Sequence, residues 1–277
     1  ADIIWRDVWQ TNRWDKKQIP LHKAAAGYGV AYGVILPAAD DGAPPVIRPL
    51  SPRQMTTAYS DDDEWPEYAL EQRRDGTWWL YDSAKVYELR KLDKPVRRPG
   101  RTTIVFEHVG DTEHEQDVCP VVRYLADEDL DDPVQGDVEP NMTLQDQINL
   151  TSFMLKGAEW YSAFRQRWAI GWTPSSPEEK VKAGASQFWA FDEDPESMKL
   201  GEFGQTELRG YLDSREALLK YAATLSQTPV HELIGELVNL SAEALAAAEA
   251  GRDRRVDERK NGFGESHEQT FQLVGRL

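Results

Sequence analysis

Apolar and polar residues alternate along much of the first half of the chain, a pattern typical of half-buried β-strands. Gly27–Leu36 alternates loosely, and Asp75-Gly76 marks a two-residue turn between two later strands, which predicts a β-hairpin. A short helix is predicted over residues 1–17, ended by Pro20. We therefore expect an antiparallel α+β domain. Its other predicted strands are Val46–Leu50, Met55–Tyr59, Tyr68–Gln72, Trp78–Tyr81, Val86–Leu92 and Thr102–His108.

The second half of the chain is dominated by helical periodicity. Thr143–Gly171 is predicted to be one long helix with apolar residues on two adjacent faces, so it should pack against more than one neighbour. Thr206–Ser226 is predicted as a second helix, and Ser241 to about Lys260 as a third. Asn261–Gly264 could kink or interrupt the third helix before helical character resumes towards the end of the sequence.

Two segments between these helices have a different character. Pro174–Gly204 is bounded by prolines and predicts two short strands, Gln187–Phe191 and Met198–Phe203. The other segment begins after the second helix with Gln227-Thr228-Pro229 and extends to Leu240; it is polar and irregular. The proline-bounded insert is too small to bury a core of its own, so we expect it to pack against copies of itself in neighbouring subunits.

Charge and composition narrow the class of protein. The chain has 48 acidic and 32 basic residues, a formal net charge of −16. Seven acids and no lysine or arginine lie in Tyr124–Pro140, which we interpret as a solvated connector. The net charge disfavours tight, sequence-blind binding of a phosphate backbone. No apolar run reaches the roughly 20 residues that a membrane helix needs.

The patterns of known active sites are absent from this sequence. Gly27, Gly29 and Gly33 are spaced one residue too widely for a dinucleotide-binding fingerprint, and no P-loop motif occurs. The spacing of His108 and His114 matches no zinc pattern, so a solvated polar loop is the better interpretation. The sequence therefore predicts no catalytic, cofactor or metal site.

Two further groups of residues have an ordinary structural interpretation. The single cysteine, Cys119, lies in an apolar, strand-like setting and is predicted to be a buried, inert thiol. The basic residues of 252–260 alternate with acids at helical spacing, which predicts a helix laced with ion pairs.

Seven stretches, in this order and spacing, resemble the portal proteins of tailed bacteriophages, in the branch typical of phages of actinobacteria. They are AGYGVAYGVIL (26–36), PVIRPLSPR (45–53), CPVV (119–122), GDVEP (136–140), LQDQIN (144–149), RWAIG (167–171) and NLSAEAL (239–245). The resemblance implies that the family's N-terminal segment and C-terminal crown lie outside this sequence, which we expect to be a piece of a longer chain.

The resemblance also implies a division into parts. Residues 1–142 would be the wing, 143–173 and 206–226 the stem helices, 174–205 the clip, 227–240 the tunnel loop, and 241–277 a helix that returns through the wing towards the crown. The stem-packing residues would be Trp160, Phe164, Trp168, Tyr211 and Leu218. The clip contacts would be Phe188, Trp189, Phe191, Met198 and Phe203. The tunnel loop would present Gln227, Thr228, Pro229, His231 and Asn239 to the channel.

The implied function is structural. Portal proteins form a ring, typically of twelve copies, at one capsid vertex, assembled in the host cytoplasm, through which double-stranded DNA is packaged and ejected. The implied partners are other copies of the chain, the terminase large subunit, the major capsid protein and the head–tail adaptor, with no cofactor. The segment 227–240 contains no lysine or arginine, as expected of a conduit along which DNA slides.

Two other functions remain open from the residues alone. The first is an acidic, metal-dependent hydrolase or nuclease that uses the carboxylates of residues 127–139. The second is another connector subunit of the virion. Loss of an enzymatic activity on alanine substitution of Asp127–Asp132 would favour the first, and the number of subunits in the particle would decide the second.

Overall fold

A computed structural model describes residues 4–40, 42–60, 64–92, 96–98, 101–127, 134–163, 167–171, 199–202, 204, 207–235 and 242–277. The chain divides into two compact units. The first comprises Ala1–Pro140 and Ala246–Leu277, and the second comprises Asn141–Leu245.

The first unit opens with a π-helical segment, Ile4–Gln10, followed by helix α1, Trp14–Tyr28. The prediction that Pro20 ends this helix is wrong, because Pro20 lies inside α1. A proline in a helix interior costs about 3 kcal/mol. Leu21 and Ala25, on the helix beyond the proline, are fully buried, and their burial offsets that cost.

Within the described residues, ten strands of the first unit form two larger sheets and one hairpin, all antiparallel. They are β1 Val30–Leu36, β2 Val46–Leu50, β3 Met55–Ala58, β4 Tyr68–Gln72, β5 Trp78–Tyr81, β6 Lys85–Lys91, β7 Val96–Arg98, β8 Arg101–Thr103, β9 Phe106–Glu113 and β10 Val121–Leu125. One sheet has the order β10-β1-β2 and the other β3-β4-β5-β6-β9, while β7 pairs with β8. The region predicted as one strand, Thr102–His108, is divided between β8 and β9.

Strand β1 is buried on both faces and separates two cores. Ala31 and Ile35 belong to the core shared with α1, whereas Tyr32 and Val34 belong to the core shared with the five-stranded sheet. This split follows from the two-residue period of a strand, which points successive side chains to opposite faces. The unit is therefore layered, with helices on one side of the three-stranded sheet and the second sheet on the other.

The last helix of the chain, Ala242–Val274, completes the first core. It is continuous, so the predicted interruption at Asn261–Gly264 does not occur. Phe263 is 8% exposed and stacks on His22 of α1, with ring centroids 4.4 Å apart. Burial of this ring stabilises the helix where its two glycines weaken it.

The predicted connector Tyr124–Pro140 is only partly a connector. Tyr124 is fully buried in β10, and Asp137 accepts hydrogen bonds from the guanidinium groups of Arg255 and Arg259. The backbone N–H of Asp137 also donates to Ala26 O over 2.8 Å. The residues just before the second unit are thus fastened to the first.

The second unit contains a pair of helices and a small sheet. Helix α2 spans Met142–Ala163, strands β11 Arg167–Ile170 and β12 Lys199–Glu202 pair antiparallel, and helix α3 spans Arg209–Leu225. A short helix α4, Val230–Ile234, follows, and the helix Ala242–Val274 is α5. The predicted long helix therefore ends earlier than Gly171. The predicted strand Gln187–Phe191 lies outside the described residues.

Candidate functional site

Helix α2 carries two apolar stripes that meet different surroundings. Leu144, Ile148 and Leu155 recur at helical spacing on one face and are half-buried or buried in the unit where α2 packs beside α3. This is the ordinary face of an amphipathic helix. The stripe was visible in the sequence as one of the two predicted faces.

The other stripe of α2 lies in solvent in the single chain. Phe153 is 77% exposed and Tyr161 is 61% exposed, and the two residues lie eight positions apart on the same helix. The remaining exposed apolar side chains of the helix pair are Met142, Leu150, Met154, Trp160, Leu212, Tyr221 and Leu225. Burial of one such side chain contributes about 1.5–3 kcal/mol. Large apolar side chains that are exposed together on one face of α2 mark an interaction site.

The predicted stem-packing residues fall into different positions. Tyr211 and Leu218 are half-buried on α3, whereas Trp160 is 67% exposed on α2. Trp168 was predicted on the helix, but it lies on strand β11. Phe164 lies outside the described residues.

Trp168 lies on a strand and not on the predicted helix, and its ring packs on the neighbouring strand. It is paired with Gly201 of β12, and a Cβ added at Gly201 would lie 2.9 Å from Trp168 Nε1. The absence of a side chain at Gly201 makes room for the indole. This pairing is not local in sequence, so the helical periodicity of 143–171 could not reveal it.

The segment predicted as the tunnel loop begins with the C-terminal cap of helix α3. Gln227 has a left-handed backbone (φ 52°), and Thr228 N–H donates to Ala223 O over 2.9 Å, the pattern of a Schellman motif. Pro229 is buried, and His231 lies on the short helix α4. Asn239 lies outside the described residues. The clip residues also lie outside them: Phe188, Trp189, Phe191, Met198 and Phe203.

Two half-buried histidines of the first unit, His22 and His267, form a polar cluster that packing explains. His267 Nδ1 accepts from Trp14 Nε1 over 3.3 Å, and the Nε2 atoms of His267 and His22 are 3.2 Å apart. Tyr124 Oη lies 3.1 Å from His267 Nδ1 and 2.7 Å from Thr270 Oγ1. The cluster joins α1, β10 and α5.

We expect this cluster to make the protein sensitive to mild acid. Burial, and secondarily the charge of His22, lowers the pKa of His267 to about 4, and burial lowers the pKa of His22. The unfolded chain binds these protons more readily, so the stability is complete above pH 6.5 and is lost as the pH falls towards 4. After allowance for solvent screening, the loss at His267 is about 2 kcal/mol. Urea midpoints at pH 7 and pH 4.5 measure it.

The matched variant for this experiment is His267→Gln, which keeps a hydrogen-bonding side chain without a titrating ring. Its urea midpoint should change less between the two pH values than that of the unchanged protein. An equal change in both proteins would contradict the assignment, because it would place the acid sensitivity in other groups.

The other predicted chemical groups also have structural roles. Burial raises the pKa of the Cys119 thiol to about 12, so it is not a reactive thiolate near neutral pH. The prediction that His114 lies in a solvated loop is wrong. Its side chain is buried, with Nε2 3.0 Å from Asp82 O. Among the acids of 127–139, Asp137 is held by two arginines.

The ion pairs predicted on the last helix are present in part. Lys260 pairs with Asp257 over 3.0 Å, and Arg252 pairs with Glu249 over 3.4 Å. Arg255 and Arg259 instead reach across to Asp137. Sequence periodicity can reveal pairs on one helix, but it cannot reveal a partner more than a hundred residues away.

Sequence reasoning missed part of the exposed surface of α2. Leu150, Met154 and Tyr161 belong to it, and their helical spacing relative to Phe153 was an available signal. What the sequence could not show is which apolar stripe faces α3 and which faces outwards.

Comparison with known proteins identifies a family that matches nearly the whole chain. The family model described as "Phage portal protein, SPP1 Gp6-like" matches residues 2–277, nearly the whole chain. None of the curated proteins matches this chain. Among the described residues, no helix combines the length and apolar character needed to cross a membrane. The chain belongs to the phage portal protein family and is a tailed-phage portal protein, a component of the capsid.

Proposed function

We propose that copies of this chain form a closed ring of twelve at one capsid vertex, through which double-stranded DNA enters and leaves. The observation that carries the ring is the exposed apolar stripe of α2, with Phe153 77% exposed and Tyr161 61% exposed. An interface between copies would remove these side chains from water. Head-to-tail contacts between identical copies close into a ring when their rotation closes.

We propose the family's division for the parts of the chain. The wing is 1–142, the stem helices are 143–173 and 206–226, the clip is 174–205, the tunnel loop is 227–240, and 241–277 returns towards the crown. Support comes from the boundary of the two compact units, which falls at Asn141. The second unit, Asn141–Leu245, contains the proposed stem, clip and tunnel loop.

The proposed partners follow from the same division. The clip docks the terminase large subunit during packaging and the head–tail adaptor afterwards, while the wing contacts the major capsid protein. ATP hydrolysis belongs to the terminase, because this sequence contains no P-loop. DNA passes the tunnel loop without sequence-specific contacts, which the absence of lysine and arginine from 227–240 supports.

Substitution of the exposed stripe tests the ring directly. We expect Phe153→Ser combined with Tyr161→Ser to lower the fraction of assembled copies at least tenfold, because two apolar contacts between copies are lost. The helical content and the unfolding temperature of the dissociated chain should stay near those of the unchanged chain, since the side chains of Phe153 and Tyr161 are exposed in the single chain. Native mass spectrometry measures the assembly, and circular dichroism measures the folding.

The matched control is Gln145→Ser, a change at an exposed polar position of the same helix that lies outside the apolar stripe. It should leave assembly unchanged. A double variant that assembles as fully as the unchanged protein would show that the stripe is not the interface, and the main support for the ring would be lost.

A further inference from the structure

The last strand of the five-stranded sheet, β9, is an open edge. Within the described residues it pairs with β6 alone, over Phe106–Glu113. The backbone N–H of His114 donates to Ala84 O over 3.2 Å, towards β6. Because an antiparallel strand directs the backbone groups of alternate residues to opposite sides, those of Asp111 and Glu113 point away from β6. The outer side of β9 therefore presents backbone donors and acceptors with which an added strand can pair.

The side chains of β9 select what can pair with it. The strand contains neither proline nor lysine, two residues that commonly prevent an edge from pairing with another chain. The exposed charges near its end are the carboxylates of Asp111 and Glu113. Since like charges on neighbouring strands are destabilising and opposite charges are favourable, this edge disfavours an acidic strand and favours a basic one.

A cavity of about 490 Å³ lies along the same edge. Two runs of consecutive residues line it, 36–39 and 110–114, together with Trp79, Val86 and Glu88. Successive residues of a strand point to opposite faces, so a cavity lined by 110–114 without a gap follows the backbone of β9 and not one face alone. The cavity has the volume of a ligand pocket, about 300–1,000 Å³.

The cavity has apolar surface and open space beside β9. Its other run, 36–39, carries no charge. On β9, Gly110 and Thr112 share a face with their cross-strand neighbours Glu88 and Val86, which also line the cavity. A Cβ added at Gly110 would meet no atom within 4 Å. A strand added to β9 would therefore place every second side chain in this space.

The groove formed by this cavity and the outer edge of β9 is acidic. Glu88, Asp111 and Glu113 line it. Lys85 Nζ lies 2.8 Å from Asp111 and 3.7 Å from Glu113, and His108 Nε2 lies 3.4 Å from Asp111. Glu88 is half-buried, and no cation of the described residues pairs with it. Three carboxylates thus share one lysine and one histidine, which leaves negative charge for a basic partner.

We propose that the groove binds an extended, basic segment of another protein, which pairs with β9 as an added strand. The backbone of such a segment bonds to Asp111 and Glu113, and its alternate side chains supply specificity. Apolar side chains enter the cavity on the side of Gly110 and Thr112, while lysine or arginine side chains lie beside the two carboxylates. Another protein suits the groove better than a second copy, because each copy carries a net charge of −16.

The inference is independent of the proposed ring. All residues that line the groove belong to the first unit of one copy, so the groove should bind its partner whether or not copies have assembled. Rings that bind no basic segment would overturn the groove alone. A chain that binds the segment but forms no ring would overturn the proposed function alone.

A synthetic peptide tests the occupant. The probe is a capped heptapeptide in which lysine and valine alternate, and its control has glutamate in place of each lysine. At physiological salt, isothermal titration calorimetry should show saturable binding of one lysine peptide per chain and at least tenfold weaker binding of the glutamate peptide. Hydrogen exchange should slow over residues 110–114 when the lysine peptide is bound. Absence of saturable binding, or equal binding of both peptides, overturns the proposal.

Methylation of the peptide backbone separates strand pairing from attraction between charges. In an added strand, the backbone N–H groups of the lysines point to one side and those of the valines to the other. Of two peptides methylated on the backbone nitrogens of either the lysines or the valines, one should keep its affinity and the other should lose at least tenfold. Equal affinities of the two, whether high or low, contradict pairing with β9.

Two variants of the protein locate the peptide. Gly110→Ile fills the cavity from a position where a Cβ meets no atom within 4 Å, and isoleucine suits a strand better than glycine. Glu88→Gln combined with Glu113→Gln removes two charges while the side-chain shape is kept. Each variant should lower the affinity for the lysine peptide at least tenfold. The charge variant decides the question by itself should Gly110→Ile fail to fold.

The matched controls are Thr56→Ile on β3, the opposite edge of the same sheet, and Glu67→Gln combined with Glu265→Gln, all at exposed positions outside the groove. They should bind the lysine peptide like the unchanged protein, and circular dichroism should show which variants are folded. Unchanged affinity in a folded groove variant overturns the proposal. Peptide binding confined to dissociated chains also overturns it, in favour of a contact between copies.

Discussion

Substitution of Glu71 by alanine is expected to lower the free energy of unfolding by about 3–5 kcal/mol. Glu71 is 2% exposed and joins the two sheets of the first unit: Arg48 on β2 donates to both of its carboxylate oxygens, over 3.1 and 2.9 Å. Tyr81 Oη donates to the same carboxylate. Alanine would remove the carboxylate that both groups donate to, and it would leave the partly buried guanidinium of Arg48 with the phenolic oxygen of Tyr81, 3.0 Å away, in place of a negatively charged acceptor.

The electrostatics of this cluster explain the large effect. Burial is the largest single influence on Arg48 and opposes its charged form, but hydrogen bonds to Glu71 and Tyr81 together with their negative charges outweigh burial and raise the pKa of Arg48. Burial, reinforced by the negative charge of Glu71, raises the pKa of Tyr81, so the phenol stays protonated and donates. Arg73 adds a second cation, 3.3 Å from Glu71, and stacks over Trp79 at 4.2 Å.

Urea denaturation followed by tryptophan fluorescence, at one fixed subunit concentration, measures the change. The control is Glu107→Ala, which removes an exposed carboxylate 3.9 Å from Arg90 on the same sheet and should cost less than about 1 kcal/mol. Equal small losses for both variants would contradict a structural role for the buried cluster.

The second large effect is expected at Gly136. Two backbone segments cross here, and a Cβ added at Gly136 would lie 2.6 Å from Gly29 N, against backbone that cannot move without disturbing α1 and β1. Gly29 itself has a left-handed backbone, with φ 89°. We expect Gly136→Ala to destabilise the first unit by about 3 kcal/mol. It should also displace Asp137 from Arg255 and Arg259.

Thermal unfolding measures the effect of Gly136→Ala, and hydrogen exchange at the end of α1 reports whether the crossing opens. The matched control is Gly157→Ala on α2, where a Cβ has nothing within 4 Å and should stabilise the helix slightly. If alanine at position 136 were as well tolerated as at position 157, the close crossing would not exist in solution.

Local patterns in the sequence predicted much of the first unit. Val46–Leu50, Tyr68–Gln72 and Trp78–Tyr81 are strands with the predicted bounds, and the turn at Asp75-Gly76 joins the last two. In each case the turn residues and the alternation act within a few positions. Such signals do not depend on distant parts of the chain.

The errors occur where distant contacts outweigh local preference. Pro20 does not end α1, because the helix beyond it buries Leu21 and Ala25. The two glycines around Phe263 do not interrupt α5, because that ring packs against α1. Trp168 leaves the helix to pair with β12. None of these partners is near in sequence.

The candidate site was predicted less completely than the fold. The sequence placed apolar residues on two faces of α2, but only the structure separates the face that packs in the unit from the face that is exposed. The prediction that the helices need neighbouring copies stays a prediction.

The mass of the assembled particle tests the central claim most directly. At physiological salt, native mass spectrometry of the purified protein should give one dominant species at an integer multiple of the 31.5 kDa chain, twelve copies in the proposed ring. Particle images should show a central hole. Monomers or dimers alone would contradict the claim that the exposed stripe of α2 is covered by neighbouring copies around a channel.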